Sequence, residues 1–224
     1  LATVAVRRAW GCEIFDQESW MKALILVDLQ REFLPEGGWE LPDSESVVAL
    51  ANRLQRRFRV VVATQDWHLR SHKIFASNHD KREIGQVIDF KKQVFTLTRD
   101  HCIQKTHGGE LAPALQRDSI HRVFQRGMDS DLNGYSAFFE NDHRTSTGLT
   151  EFLRVRKVTE VYIMGFSPDG CVLHTALDAQ ALGFKTFLIQ DAVRTAPQTE
   201  AEKAADLQLL KEAGVLLVRG ADMI

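Results

Sequence analysis

Three strand-like runs bounded by turn or polar residues are apolar at every position: Ala23-Leu24-Ile25-Leu26-Val27, Val60-Val61-Val62-Ala63 and Val161-Tyr162-Ile163-Met164, among several such runs in the chain. A strand with one face in water alternates apolar and polar residues. A strand that is apolar throughout has to be covered on both faces. Helical spacing fills the intervals. Asp43 or Ser44 starts a helix that carries Val47, Val48, Leu50, Ala51 and Leu54 and runs to about residue 58. Others cover residues 147–157, residues 171–182 before Gly183, and residues 199–213 before Gly214. Residues 121–124, 184–189 and 215–218 read as further strands, and a short helix is expected to carry Leu111 and Leu115. Residues 78–93 read as a polar connection, and residues 129–139 as a loop anchored by Tyr135 and Phe138. Strand–helix alternation of this kind predicts a three-layer α/β/α domain around a parallel sheet of about six strands.

At 224 residues the chain fits one such domain. Its net charge of −2 gives no reason to expect nucleic acid or an anionic membrane as partner. No apolar run is long enough to cross a bilayer. Three cysteines, Cys12, Cys102 and Cys171, are too scattered for a disulfide framework, which predicts a reducing, cytoplasmic setting. No glycine-rich loop follows the first strand, so nucleotide binding has no support. Residues 1–20 stand apart from the domain expected over residues 21–224. They read as an extension outside the core, or equally as a native helix packed on the surface.

In open parallel sheets, ligands bind beyond the carboxyl ends of the strands. Asp28 ends the first apolar run, where a carboxylate is placed for chemistry or else for capping a turn. Asp66 and His68 follow the second run, with His72 one short loop later; a divalent-metal set and ordinary structural histidines both fit this spacing. Arg126 follows the third strand, as a fixed cation over a site or as a solvated arginine before a turn glycine. Cys171 opens a helix, where the macrodipole and unsatisfied N–H groups favour a thiolate nucleophile. His174, one turn later, either reaches the site or lies half-buried on the helix flank, and the second reading is preferred. Cys102 reads as a core thiol, His79 as solvated, and Trp67 as packing beside the metal loop. Asp169 and Asp191 read as partners of turn N–H groups.

Five segments, in this order, carry a resemblance: Val27-Asp28-Leu29-Gln30-Arg31-Glu32-Phe33, Ala63-Thr64-Gln65-Asp66-Trp67-His68, His101-Cys102-Ile103-Gln104, Gly134-Tyr135-Ser136-Ala137-Phe138-Phe139, and Gly165-Phe166-Ser167-Pro168-Asp169-Gly170-Cys171-Val172 with Thr175-Ala176-Leu177-Asp178-Ala179. From residue 21 onward the chain resembles the nicotinamidase/pyrazinamidase branch of the isochorismatase-like cysteine hydrolases. The resemblance implies a Rossmann-like fold. It also implies amide hydrolysis through a thioester on Cys171, with Asp28 moving protons and Arg126 in the place of the family's lysine. Further implied are an oxyanion hole from the backbone N–H groups of Ser167 and Cys171, and substrate walls from Phe33 and Tyr135. One divalent ion, zinc first and manganese or iron next, would be held by Asp66, His68 and His101, with His72 as a further histidine used in some members. The implied substrate is a small heteroaromatic amide, nicotinamide first, in NAD salvage; a homo-oligomer is a further expectation.

Three positions depart from that pattern. Arginine at 126 keeps the lysine's charge but is planar and does not give up a proton. Thr98 stands where a tryptophan is common, and Gly170 where an aromatic or histidine is common. Fewer stacking rings imply a looser pocket. The departures leave two alternatives: a related hydrolase with another small amide or a vinyl ether as substrate, or a binding relative that lost turnover at Arg126. The family's cis peptide maps to Phe166–Ser167, whereas Ser167–Pro168 is where cis is chemically cheaper; the family position is preferred.

Overall fold

The computed structural model describes residues 21–91, 93–167 and 170–224; the extension expected over residues 1–20 lies outside them. In chain order the strands are β1 (Met21–Val27), β2 (Val60–Asp66), β3 (Val87–Phe90), β4 (Gln93–Thr96), β5 (Arg122–Arg126), β6 (Val158–Ser167), β7 (Lys185–Thr195) and β8 (Leu216–Val218). The helices are α1 (Ser44–Leu54), α2 (Leu149–Val155), α3 (Cys171–Ala181) and α4 (Glu200–Glu212). Six strands pair in the order β5-β2-β1-β6-β7-β8, all parallel. The expected parallel sheet with helices on both faces is therefore present. No helix of the described residues is long and apolar enough to cross a membrane.

The all-apolar strands have a direct explanation. Ala23, Ile25 and Val27 pack with Leu149 and Leu153 of α2, Val172 and Ala176 of α3, and Leu210 of α4. Leu24 and Leu26 point the other way, into a second core with Val47, Val48, Ala51 and Leu54 of α1. Successive side chains of one strand feed two separate cores, which leaves no position for a polar residue.

Helix ends follow local chemistry. Thr199 caps α4 in a reciprocal capping box with Glu202. Gly183 and Gly214 take left-handed φ values of 88° and 85° just past α3 and α4. Asp43 sits at the cap position of α1 but makes no capping bond; its carboxylate pairs instead with Arg194 and the Ser46 hydroxyl. The α-helix stops at Leu54, and a 3-10 turn, Gln55–Arg57, completes the run expected to residue 58.

Four expectations are corrected. The helix expected around Leu111 and Leu115 does not form. The Ala112 N–H donates to Leu29 O at 2.7 Å and Leu111 bridges Gln30, so this backbone bonds to the exit of β1 rather than to its own next turn. The polar connection read over residues 78–93 contains β3 and leads into β4, and the two form an antiparallel hairpin whose signal is weak because only Phe95 among its strand residues is fully buried. His79 is half-buried, and its Nε2 donates to Lys73 O at 2.7 Å. The peptide bonds among the described residues are trans, including Phe166–Ser167, which continues the β6–β7 ladder opposite Arg194 and Thr195. A trans bond is the low-energy form where no proline follows. The Ser167–Pro168 bond lies outside the described residues.

Two local features set constraints on the end of the sheet that holds the site. Gly165, at the register shift of β6 against β7, has φ 135°, and a Cβ there would lie 2.0 Å from Val27 O. In the connection from β5 to α2, Glu140 Oε1 accepts the Gly127 N–H at 2.9 Å, while its buried Oε2 has no hydrogen-bond partner. Burial pushes this carboxyl up to about 6, against the opposing pull of the Gly127 N–H and the Arg126 charge.

Gly165→Ala is expected to lose at least ~3 kcal/mol of stability, from left-handed strain plus the clash with β1, measured by denaturant unfolding. For Glu140 the folded pKa lies above the ordinary value of 4.5, so its contribution to stability is present below that pH and is lost as pH rises through about 6. Glu140→Gln is expected to flatten the stability profile across that window. It should also stabilise the protein at neutral pH, by on the order of 2 kcal/mol for the shift involved, read as a higher melting temperature. Unchanged pH dependence of melting in the variant would contradict this.

Candidate active site

The chain runs outward from the centre of the sheet in both directions: β1 to β2 to β5 on one side, β6 to β7 to β8 on the other. The direction of winding therefore switches between β1 and β6, and a crevice opens at their carboxyl ends. Asp28 follows β1, Asp66 ends β2, Arg126 ends β5 and Cys171 opens α3 directly after β6. His68 and His101 approach on the loops, tied by the His68–Ile103 bridge. All six are at most 2% exposed.

Arg126 joins them. Its Nη2 donates to Asp28 Oδ2 and, at 2.9 Å, to Cys171 Sγ. Its Nη1 donates to Asp66 Oδ1 at 2.8 Å and to Gly134 O at 2.6 Å. It is therefore the fixed cation over the site and not a solvated arginine. Asp28, in the left-handed region at φ 51°, is held from the other side by Thr64. The Thr64 hydroxyl donates to Asp28 Oδ1 at 2.6 Å and accepts the Asp28 N–H at 3.1 Å.

The second group is Asp66, His68 and His101, whose ligand atoms lie within 4.8 Å of one another. His68 Nδ1 bonds Gly127 O at 3.2 Å, and His101 Nδ1 bonds Arg99 O at 2.8 Å. A carbonyl only accepts, so each Nδ1 carries the proton and each Nε2 presents a lone pair when the ring is neutral. Those Nε2 atoms face Asp66 oxygens at 2.8 and 3.1 Å. Lone pairs opposed at that distance call for a positive charge between them: either protons on the rings, which then donate to Asp66, or one divalent ion that satisfies all three donors at once. The donor set thus fits a metal. Burial opposes the Asp66 charge, but His68, Arg126 and His101 together hold its pKa well below the usual carboxylate range.

His72 is near but differently employed. Its ring stands 4.3 Å from that of His68, its Nδ1 accepts the Ile74 N–H at 3.1 Å, and its Nε2 donates to Leu132 O at 3.2 Å. Burial, then the neighbouring His68, lower its pKa to about 4. Both nitrogens are engaged with backbone, and His72 lies outside the converging set.

Phe33 is buried between Trp39 and Phe166. Rings that meet the metal set include Trp39, edge-on to His101 at 5.1 Å, and Phe75, edge-on to both His68 and His101 at 5.4 Å. Thr98, in the position expected to lack a ring, approaches His101 Nδ1 at 3.4 Å. Tyr135 is half-buried beside Gly134, and His174 is exposed rather than half-buried. Ser167 ends β6, and its Oγ accepts the Val172 N–H at 3.1 Å. Asp169 lies outside the described residues. Asp191 caps a turn by accepting the N–H groups of Gly220 and Ala221. Trp67 is half-buried, with its ring 3.1 Å from where a Cβ on Gly109 would lie. Burial first, then Asp66, Asp28 and Glu32, push the Cys102 thiol well above its usual range, consistent with a core thiol.

Four contributors had no role in the sequence reading: Thr64, Trp39, Glu140 and Gln30. The Gln30 side chain takes both backbone groups of Asp66, accepting its N–H at 2.9 Å and donating to its O at 2.9 Å. Thr64 was legible in principle, because parallel pairing of Leu26 with Ala63 sets the next residue of β2 beside the end of β1. Trp39 and Glu140 act across loops, which leave no periodic signal.

Comparison with known proteins agrees with this geometry. The isochorismatase domain pattern matches residues 22–222. The nicotinamidase of Escherichia coli (strain K12) is 38% identical over 207 residues, covering 90% of this chain and 96% of that protein. Among solved structures, the Acinetobacter baumanii nicotinamidase/pyrazinamidase superposes with a TM-score of 0.85 at 33% identity, covering 93% of this chain and all of that one. The pyrazinamidase of Pyrococcus horikoshii, solved in complex with zinc, gives a TM-score of 0.69 at 29% identity, covering 88% of this chain and 98% of that one. With the pattern spanning the domain from β1 to the C-terminal turn, this chain belongs to the isochorismatase-domain family.

Proposed function

We propose that the protein is a metal-dependent cysteine amidase that hydrolyses nicotinamide to nicotinate and ammonia. The observation that carries this reading is the Arg126 guanidinium, which touches the Asp28 carboxylate, the Cys171 sulfur and the Asp66 carboxylate at once. Likeness to nicotinamidases over nearly the whole chain supports the choice of substrate.

Asp28 and Cys171 share one guanidinium nitrogen, so carboxylate and thiol lie side by side. In the proposed sequence Asp28 takes the thiol proton and the thiolate attacks the amide carbonyl carbon. The C–N bond then breaks, and nitrogen leaves as ammonia with the proton from Asp28. Asp28 next takes a proton from water, whose oxygen attacks the thioester; the acid leaves and the thiol is restored. The Arg126 charge and the start of α3 favour the thiolate. Backbone N–H groups of Ser167 and Cys171 are the proposed donors to the oxyanion.

Asp66, His68 and His101 would hold the ion, with zinc as first choice because this N/O set suits it and a similar protein was solved with zinc. Bound there, it would supply a Lewis-acid contact for the ring nitrogen of the substrate. Trp39, edge-on to His101, is proposed as a further wall of the ring site in addition to Phe33 and Tyr135. The cytoplasm is the proposed setting.

Purified protein with zinc is expected to release ammonia from nicotinamide, and Cys171→Ala to abolish that release. Absence of release from the metal-loaded protein would sink the reading. Arg126→Met is expected to cost about a thousand-fold in kcat/KM through loss of the charge beside the sulfur. Arg126→Lys is expected to cost about ten-fold, since one ammonium does not span both Asp66 and Cys171. A sharp gain with lysine would instead mark a crippled site. Removing metal with a chelator is expected to lower the melting temperature, and adding zinc to restore it. Asp66→Asn should lose that zinc-dependent shift.

A further inference from the structure

We propose that His174 is a specificity-determining residue: its imidazole, stacked on Tyr135, forms the wall beside Cys171 that limits how large a flat ring amide can be seated there. The proposal rests on the amidase reading and deepens it.

The contacts form a closed circuit around the nucleophile. Cys171 Sγ accepts from Arg126 Nη2 at 2.9 Å, and the same guanidinium donates through Nη1 to Gly134 O at 2.6 Å. The next residue is Tyr135, whose ring stacks on His174 with centroids 5.3 Å apart and planes 21° from parallel. His174 lies one turn along α3 from Cys171, and its N–H donates to Gly170 O at 3.0 Å. Tyr135 and His174 thus join two different elements, the β5–α2 connection and α3, each linked within a few residues to a partner of Arg126.

Gly170 explains why His174 has this place. Its φ of 103° is unfavourable for any L side chain. A Cβ built there would lie 3.4 Å from His174 Cδ2, in ordinary contact. The imidazole thus occupies the room next to the space that a side chain at 170 would fill. The reacting groups are at most 2% exposed, whereas His174 is an exposed residue. An exposed ring beside a buried nucleophile sits at the rim, where ligand size is tested. A flat imidazole–phenol pair suits a planar heteroaromatic ring.

The test compares wild type, His174→Ala and His174→Phe, all zinc-loaded, on nicotinamide and 5-methylnicotinamide. His174→Ala is expected to shift the ratio of kcat/KM toward the methylated amide by about ten-fold, and His174→Phe to restore the wild-type ratio. Equal ratios in all three would overturn the proposal. A second measurement needs no turnover: alkylation of Cys171 by iodoacetamide and by its bulkier N-benzyl analogue, followed on the Cys171 peptide by mass spectrometry. The bulky reagent should gain on the small one in His174→Ala and not in His174→Phe. An unchanged alkylation ratio would overturn the wall even if nicotinamide is hydrolysed. A shifted ratio without any amide hydrolysis would keep the wall and overturn the amidase reading.

Discussion

One buried cation organises the catalytic end of this sheet. Arg126 is 1% exposed, and a charge so placed is tolerable only if its donors are met by well-oriented acceptors. Two carboxylates, a carbonyl and a sulfur meet its two Nη groups. The dependence runs both ways. Asp28 and Asp66 come from neighbouring strands and would repel each other in a dry crevice without the guanidinium between them. Thr64 then holds the Asp28 carboxylate from behind, and Gln30 holds the backbone of Asp66.

The planar fork matters as much as the charge. An ammonium is a point, whereas a guanidinium presents donors in two directions. Nη2 serves the pair of groups expected to react, and Nη1 reaches across to Asp66, which belongs to the metal-ligand set. The substitution that raised doubt in the sequence therefore has a physical role in the structure. It joins two parts of the site that a shorter side chain would leave separate.

Much of this was legible in the sequence because it is periodic or adjacent. Continuous apolar strands dictate two-sided burial, and Asp28, Asp66, Arg126 and Cys171 each stand at a strand end or the following helix start. The structure gathers all four. What was not legible depends on long-range loop contacts. Trp39 reaches His101 from a turn rich in glycine, and Glu140 holds Gly127 from the far end of a connection. Neither has a spacing that marks it. His72 shows the opposite case: its spacing fits a ligand, yet Leu132 and Ile74 use both of its nitrogens. The helix expected at Leu111 failed for a similar reason, since tertiary bonds to Leu29 took the backbone groups that a helix would have used.

The closure of the site bears on chemical durability as well as on turnover. A sulfur beside a cation is the form that peroxides and heavy metals attack. Here it is 2% exposed, behind a rim of two stacked rings. In the proposed arrangement, damage to Cys171 is limited by access past that pair, the same route that a ligand takes. A change that opens the crevice to larger ligands would also open the sulfur to oxidants.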